Sequence, residues 1–306
     1  MSIPEPVVVF GDTGFLGRRV VSALLARDVT VRIAVRHPAK ARRTTRDDHA
    51  AVVTGDITRR DTVRRAVAGA RAAVNCVSLY HERGDTTFEA VHVDGAHTLA
   101  DEACAAGLER LLSVSGIGSH PASSDDYIAA RGRGEQVVRR AFPAATIFRP
   151  SVMFGDREGF LARLGDTVDM TPAMPLFGDG SVCLQPVWVG DVGEAAARVL
   201  ADPSTAGQTF ELAGPEVLSY REIVRRVAKA RGRTVPLVPV PYAAWSAGAA
   251  AASLLPEPPF TRGQVALMRS DNIASGDYPG LQTLGIEPTS PTAMLDHRAR
   301  ADTSPA

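Results

Sequence analysis

Val7-Val8-Val9-Phe10-Gly11-Asp12-Thr13-Gly14-Phe15-Leu16-Gly17 decides the reading of this 306-residue chain. Four apolar residues run into three glycines spaced three apart, and an amphipathic stretch, Phe15 to Leu25, follows. Strand, glycine turn and helix come in the order a dinucleotide pyrophosphate needs. Gly11 lets the chain turn sharply, Gly14 lets backbone approach a phosphate, and Gly17 lets the helix pack on the strand. Free N–H groups at the helix start, with the helix dipole, favour the anion. A strand–helix turn with no ligand shares this spacing, so the rest of the chain has to decide.

Hydrophobic residues make up 45% of the chain, enough for a sizeable core and too many for a disordered protein. Lys+Arg and Asp+Glu number 34 each, so there is no global field to attract nucleic acid. Cys76, Cys104 and Cys183 have no paired spacing. That argues against a disulfide framework or structural zinc and for a reducing compartment. No basic region precedes the first apolar run, which reads as a buried strand rather than a signal peptide. The expected location is cytoplasmic.

The first 150 residues alternate apolar runs (Pro6–Phe10, Val29–Val35, Ala51–Val53, Ala72–Val77, Arg110–Ser115, Thr146–Phe148) with helix-period segments (Phe15–Ala26, Asp61–Ala68, Thr87–Ala106, Asp125–Ala141). This predicts an α/β fold, a Rossmann doubly wound parallel sheet, with a smaller C-terminal substrate lobe. Residues 1–155 form the expected dinucleotide domain, with 182–200 returning to it. Residues 156–296 form the interleaved lobe, and 297–306 a frayed tail. Met170 to Pro186 reads as a substrate-side loop, Val187–Asp191 as a strand and Val192–Leu200 as a helix. Phe210–Ala213 reads as a further strand, and Ser219 caps a helix Tyr220–Ala230. Thr234 to Pro256 carries no charge, and its prolines leave only Tyr242–Leu255 as a helix, too short to span a bilayer. It reads as a packed helix of the lobe or as a docking surface for a membrane or larger complex.

Arg36 ends the second strand, 19 positions after Gly17. An acid about 20 residues beyond the glycine loop would bind a ribose 2′-hydroxyl. Here Arg36 and His37 are followed by Lys40, Arg42 and Arg43, and no acid occurs between Asp28 and Asp47. That basic fork matches a 2′-phosphate, so NADP(H) is expected in preference to NAD(H). Asp56 stands where it can accept the adenine amino group, with Ile57 covering the ring. Asn75, Cys76 and Val77 end the fourth strand, at the edge that lines the cofactor crevice. Tyr127 and Arg131 lie one turn apart on one helix face. A fixed positive charge favours the ionised phenol, which suits proton exchange with a substrate oxygen. Ser115 adds a hydroxyl to the same crevice.

These residues resemble the short-chain dehydrogenase/reductase superfamily, in its extended and atypical, epimerase-like branch. The resemblance rests on Gly11-x-x-Gly14-x-x-Gly17, Gly55-Asp56-Ile57, Tyr127-x-x-x-Arg131-x-x-x-Glu135, Arg149-Pro150-Ser151-Val152-Met153-Phe154-Gly155 and Gln185-Pro186-Val187-Trp188-Val189-Gly190-Asp191-Val192. With Pro259-Phe260-Thr261-Arg262-Gly263-Gln264-Val265, it looks most like the subgroup of the nucleotide-binding accessory subunit of respiratory complex I and its bacterial relatives. The resemblance implies NADP(H) binding at Gly11, Thr13, Gly14, Phe15, Leu16, Gly17, Arg36, His37, Asp56, Ile57, Asn75, Cys76, Val77, Tyr127, Arg131, Pro150, Ser151 and Val152. It implies catalysis by Tyr127, Arg131 and Ser115.

The sequence departs from the family at several positions. Arg131 stands at the motif Lys, His92 where an Asn is usual and Trp188 where a His is usual. Asp12 replaces the commoner Ala, and a carboxylate near a pyrophosphate is unfavourable unless it turns away to cap the helix. Two principal readings follow. One is an NADP(H)-dependent oxidoreductase acting on a small carbonyl or quinone-like molecule. The other is a binding protein that keeps NADP(H) as a structural or sensing ligand, docked on a respiratory complex or peripheral to the inner membrane through residues 235–260. Nucleotide-sugar epimerisation or dehydration is a third reading, for which the sequence shows no sugar-nucleotide motif. The family often forms homodimers, so a homodimer is also expected.

Overall fold

The computed structural model describes residues 2–38, 48–156, 158–252 and 262–303. Lys40, Arg42 and Arg43 lie outside the described residues. In chain order the elements begin with β1 (Val7–Phe10), α1 (Phe15–Leu25), β2 (Val31–Val35), β3 (Ala50–Thr54), α2 (Arg60–Val67) and β4 (Ala72–Asn75). A π-helical segment, Glu89–Gly95, leads into α3 (Ala96–Ala105), followed by β5 (Arg110–Val114), α4 (Asp126–Ala141) and β6 (Thr146–Pro150). Next come β7 (Met153–Phe154), α5 (Phe160–Met170), β8 (Met174–Phe177), β9 (Cys183–Leu184), β10 (Val187–Trp188) and α6 (Val189–Ala201). The chain closes with β11 (Thr209–Leu212), β12 (Leu218–Ser219), α7 (Tyr220–Ala230), β13 (Leu237–Val240), α8 (Tyr242–Ala252), α9 (Arg262–Leu267) and α10 (Pro291–Thr303).

The chain divides into two compact units. The first is Met1–Pro150, Val189–Leu212 and Gly276–Glu287; the second is Ser151–Trp188, Ala213–Ser275 and Pro288–Ala306. In the first unit, seven parallel strands run in the order β11-β6-β5-β4-β1-β2-β3. All four residues of β1 are buried, as are those of β4, because helices cover both faces of a parallel sheet. Helices α1 and α6 share one face, and a Cβ on Gly193 of α6 would lie 2.9 Å from the carbonyl oxygen of Arg19. Helices α2, α3 and α4 share the other, over a core that includes Phe10, Val63, Leu99, Leu111 and Ile147. After β1, β2 and β3 the chain returns to place β4 on the other side of β1. The strand order thus reverses between β1 and β4, and the carboxyl ends at such a point are the ligand position of doubly wound sheets.

The second unit is built on α7. Tyr220, Ile223, Val224, Val227 and Ala228 form its buried stripe at helical spacing, against Leu161, Leu164, Val168 and Leu176. As expected, Ser219 caps this helix, its Oγ accepting the N–H of Glu222 at 3.2 Å.

Several elements differ from the sequence reading. The segment Thr87–Ala106 is not one α-helix, because Glu89–Gly95 is wound as a π-helix. Asp191 does not end a strand: it lies in the first turn of α6, where an acid suits the helix dipole. The stretch read as a loop holds β8, whose Met174 and Leu176 are buried in alternation, and β9. Its parallel partner β13 lies inside the proline-rich segment. Both are strands of two-stranded ribbons, where a missing proline N–H is tolerated. Helix α10 continues beyond Asp296 to Thr303. Among the described residues no helix is long and apolar enough to cross a membrane.

Candidate functional site

The glycine turn starts with Gly11 at φ 88°, a left-handed conformation that favours glycine. A Cβ there would lie 2.8 Å from the carbonyl carbon of Cys76 and 2.9 Å from the nitrogen of Val77. Backbone thus presses on backbone where β1 and β4 end. The Gly14 N–H closes the turn on the Gly11 carbonyl at 3.0 Å. A Cβ on Gly17 would lie 2.7 Å from the Gly11 carbonyl carbon and 2.8 Å from Asp12 Cα. Gly17 therefore packs against the turn itself, not the strand. Gly14 is the N-cap of α1, with no capping side chain and no acid in the first helical turn. The first N–H groups of α1, on Phe15, Leu16 and Gly17, have no intrahelical partner, which favours an anion there. Thr13 is exposed, and its carbonyl accepts from Arg18 Nη1 at 2.9 Å. Asp12 does not cap the helix: burial raises its carboxyl above the ordinary range, opposed by the charge of Arg18.

Phe10 pairs with Ala34 in the β1–β2 register, which brings Arg36, just past Val35, alongside the turn. Arg36 and His37 are both exposed. Asp56 follows β3, and its Oδ1 accepts from the Thr58 N–H at 3.0 Å and the Thr58 hydroxyl at 2.7 Å. Ile57 is 3% exposed. It belongs to the core under α2 and α3, and a Cβ on Gly95 would touch its side chain at 2.9 Å. The expected adenine cover is thus a core residue. Asn75 is buried and its Oδ1 accepts the Val77 N–H at 3.1 Å, holding the turn after β4. The Cys76 N–H donates to Phe10 at 2.9 Å. Burial, then the Asp12 carboxylate, push its thiol up to about 12, far from a nucleophile.

Helix α4 is capped by Asp125, which accepts the Ile128 N–H at 3.1 Å, and so presents Tyr127 in its first turn. Arg131 Nη1 donates to the Tyr127 phenolic oxygen, and Arg131 Nη2 to the Ser115 carbonyl. Tyr127 is 3% exposed beneath Tyr80, Phe88 and His92, with ring centroids 5.8, 5.4 and 5.6 Å away. The sequence reading had Arg131 favouring an ionised phenol. Burial outweighs that charge and pushes Tyr127 up to about 12, so the phenol stays protonated. Arg131 Nε is buried without a hydrogen-bond partner among the described residues. The Ser115 hydroxyl does not face an open crevice: it is buried and donates to Ser119 Oγ at 3.0 Å.

Sequence reasoning missed what surrounds Tyr127. His92, on the π-helical segment, places Nε2 3.3 Å from the Leu79 nitrogen and 3.1 Å from its oxygen. Burial, then the charge of Arg131, lower the imidazole to about 4, so it is neutral. Glu135, one turn past Arg131, accepts from Arg149 Nη2 at 2.7 Å and Nε at 3.0 Å. Arg149 also lies 3.9 Å from Glu211 and 5.0 Å from the Tyr278 ring centroid. The motif reading recorded Arg149 and Glu135 but not their pairing, because they are on different elements.

Pro150 ends β6, and its carbonyl accepts the Ile117 N–H at 3.1 Å. Ser151 and Val152 belong to the second unit. There Asn272 Oδ1 accepts from Ser151 Oγ at 2.7 Å and from the Val152 N–H at 2.9 Å. Gln185 ties down its own unit, Nε2 to Gly214 at 2.8 Å and Oε1 from the Ala274 N–H at 3.0 Å. Trp188 packs on Phe154 with centroids 5.5 Å apart.

A family model described as NAD(P)H-binding matches residues 11–172. The chain is 31% identical over 287 residues to NADH dehydrogenase (ubiquinone) 1 alpha subcomplex subunit 9, mitochondrial, of Rattus norvegicus, covering 92% of this chain and 76% of that protein. It is 33% identical over 199 residues to the ceramide reductase of Caulobacter vibrioides, covering 64% and 60% respectively. The Citrobacter sp. triphenylmethane reductase, solved in complex with NADP(H), superposes with a TM-score of 0.77 at 19% identity over 96% of this chain and all of that one, which shows the fold. The uncapped helix start and the close-packed turn fit the dinucleotide that the family model describes.

Proposed function

The chain belongs to the NAD(P)H-binding family, within the extended short-chain dehydrogenases/reductases, and from that premise we propose that it is an NADP(H)-dependent oxidoreductase acting on a small carbonyl or quinone-like substrate. The observation that carries this reading is the hydrogen bond from Arg131 to a Tyr127 kept protonated by burial. Arg131 occupies a lone pair of the phenolic oxygen and leaves its hydrogen for donation. A nicotinamide held at this site would supply hydride to the substrate carbon. Tyr127 gives its proton to the substrate oxygen as negative charge grows there. Arg131, fixed by the Ser115 carbonyl, stabilises the phenolate left behind. It keeps its own proton at neutral pH, so it does not relay one to Tyr127. Ser115 thus acts through its carbonyl. The helix start at Gly14–Gly17 takes the pyrophosphate, and Arg36 selects NADP(H) by bonding the 2′-phosphate. The test is a screen of purified protein with NADPH against aldehydes, ketones and quinones. Tyr127→Phe should lose activity by about 100-fold or more while still binding NADPH. Undiminished turnover in that variant would refute the assignment.

A second reading, NADP(H) held without turnover, is favoured by the cover over Tyr127 and the engaged hydroxyl of Ser115. The name of the rat relative, a subunit of a mitochondrial NADH dehydrogenase, supports attachment to a respiratory complex. Docking through residues 235–260 rests on the uncharged stretch Thr234 to Pro256 alone, and 253–260 lie outside the described residues. Nucleotide that co-purifies yet is oxidised by no acceptor in the screen decides for this reading. Homodimer formation, frequent in the superfamily, is checked by sedimentation.

A further inference from the structure

The second unit carries a groove of about 640 Å³ lined by Arg221, Arg225, Lys229, Arg233, Val235 and Leu237. Arg221, Arg225 and Lys229 recur every fourth residue, so they stand along one face of α7 about 6 Å apart. Arg233, after the helix, extends the row. The other basic residues here are matched with acids. Arg226 pairs with Glu216 and Glu222, and Arg231 with Asp166 and Asp169. Among the described residues none of the four groove cations is in an ion pair. Arg221 donates to the Asp179 carbonyl, and Arg233 to the carbonyls of Asp169 and Thr171. Of the nearby carboxylates, Asp169 takes Arg231, while Asp179 accepts the Ser181 N–H at 2.9 Å and feels the charge of Arg221 without forming an ion pair with it.

Helix electrostatics do not explain the row. Lys229 lies in the last turn of α7, where a cation suits the dipole, but Arg221 lies in the first turn, where it does not. Arg221 is instead held in place by the turn at Asp179, and a Cβ on Gly180 would lie 3.0 Å from the Arg221 Cβ. We propose that this groove is a binding site for a phosphate-bearing anion, seated on Arg225 and Lys229 between the fixed guanidinium groups of Arg221 and Arg233. Guanidinium forks and an ammonium together suit a ligand with more than one phosphoryl oxygen. Val235 and Leu237 supply an apolar wall beside them. The site lies wholly in the second unit and does not depend on the cofactor reading.

The chemistry is shared by a free polyphosphate and by a phospholipid headgroup, so the experiment has two arms. With the nucleotide site saturated by NADPH, inorganic pyrophosphate is titrated calorimetrically, and vesicles of phosphatidylcholine with and without phosphatidylglycerol are co-sedimented. Saturable binding in either arm, weakened at least about tenfold in Arg225→Ala/Lys229→Ala, is the expected result, since each charge-assisted bond carries about that factor. Pyrophosphate binding identifies a soluble ligand, whereas binding only to the phosphatidylglycerol vesicles identifies a lipid. Both side chains are exposed, so the variant should keep its melting temperature and its NADPH affinity. No binding in either arm, or binding the double variant retains, would overturn the proposal.

Discussion

Replacing Gly17 by alanine tests the glycine turn most directly. The new methyl would overlap the Gly11 carbonyl oxygen, and stand 2.7 Å from its carbon and 2.8 Å from Asp12 Cα. Ordinary contact begins at 3.4 Å, so backbone has to retreat by more than about 0.7 Å. No flexible side chain is available to give way. Overpacking costs about 1–3 kcal/mol, and overlap with rigid backbone on this scale belongs in the upper part of that range, about 2–3 kcal/mol. Alanine's better helix propensity returns up to about 1 kcal/mol. The net loss of about 1–2 kcal/mol lowers the melting temperature by roughly 3–6 °C for a unit of this size. The helix N–H groups move with the turn, so NADPH also loses at least one charge-assisted bond, roughly tenfold or more in affinity. Gly14→Ala is the control. Its φ is an ordinary −85°, and its added Cβ meets only the Gly11 oxygen at 3.1 Å. Calorimetric melting and NADPH titration of both variants check the reasoning. Gly17→Ala melting and binding like the parent protein, or Gly14→Ala proving the less stable of the two, would show that the turn is not the tight point.

Arg36→Glu should weaken NADPH binding far more than NADH binding, and equal losses would show that Arg36 does not meet the 2′-phosphate. Arg149→Met leaves Glu135 buried without its cation and should cost about 3–5 kcal/mol, read as a lower urea midpoint. His92 bears on pH dependence. Its pKa is depressed to about 4 in the folded protein, against about 6.5 unfolded. Its contribution is whole above the unfolded value and falls with pH between the two, by on the order of 3 kcal/mol in total. His92→Gln should therefore show a shallower loss of urea stability on acidification than the parent protein. Identical slopes would count against a buried neutral imidazole.

Much of the sheet was legible because a parallel sheet covered on both faces needs unbroken apolar runs, and β1 and β4 are such runs. The turn was legible because three glycines at fixed spacing answer three steric demands, although the packing partner of Gly17 was not. Other features depend on neighbours far along the chain. Tyr127 and Arg131 share a face, as helix spacing requires, but the protonation of Tyr127 follows from Tyr80, Phe88 and His92 closing over it. The Ser115 hydroxyl turns to Ser119, and Ile57 into the core, for packing reasons with no local signature. The π-helical segment has none either, since its register is set by contact with α4 and by His92 reaching Leu79. Strands β8 and β13 were hidden by prolines that would exclude them from a central sheet.

The three-part make-up of the first unit bears on how the chain is born. When Pro150 has left the ribosome, β6 is still the bare edge of the sheet, because its neighbour β11 ends only at Leu212. Helix α1 also lacks the cover of α6. At about 5–20 residues per second the nascent chain keeps that edge open for on the order of 3–12 s. Unpaired edges of this kind recruit other chains. A fragment stopping near residue 150 should thus aggregate or cling to chaperones, although it contains every glycine of the turn.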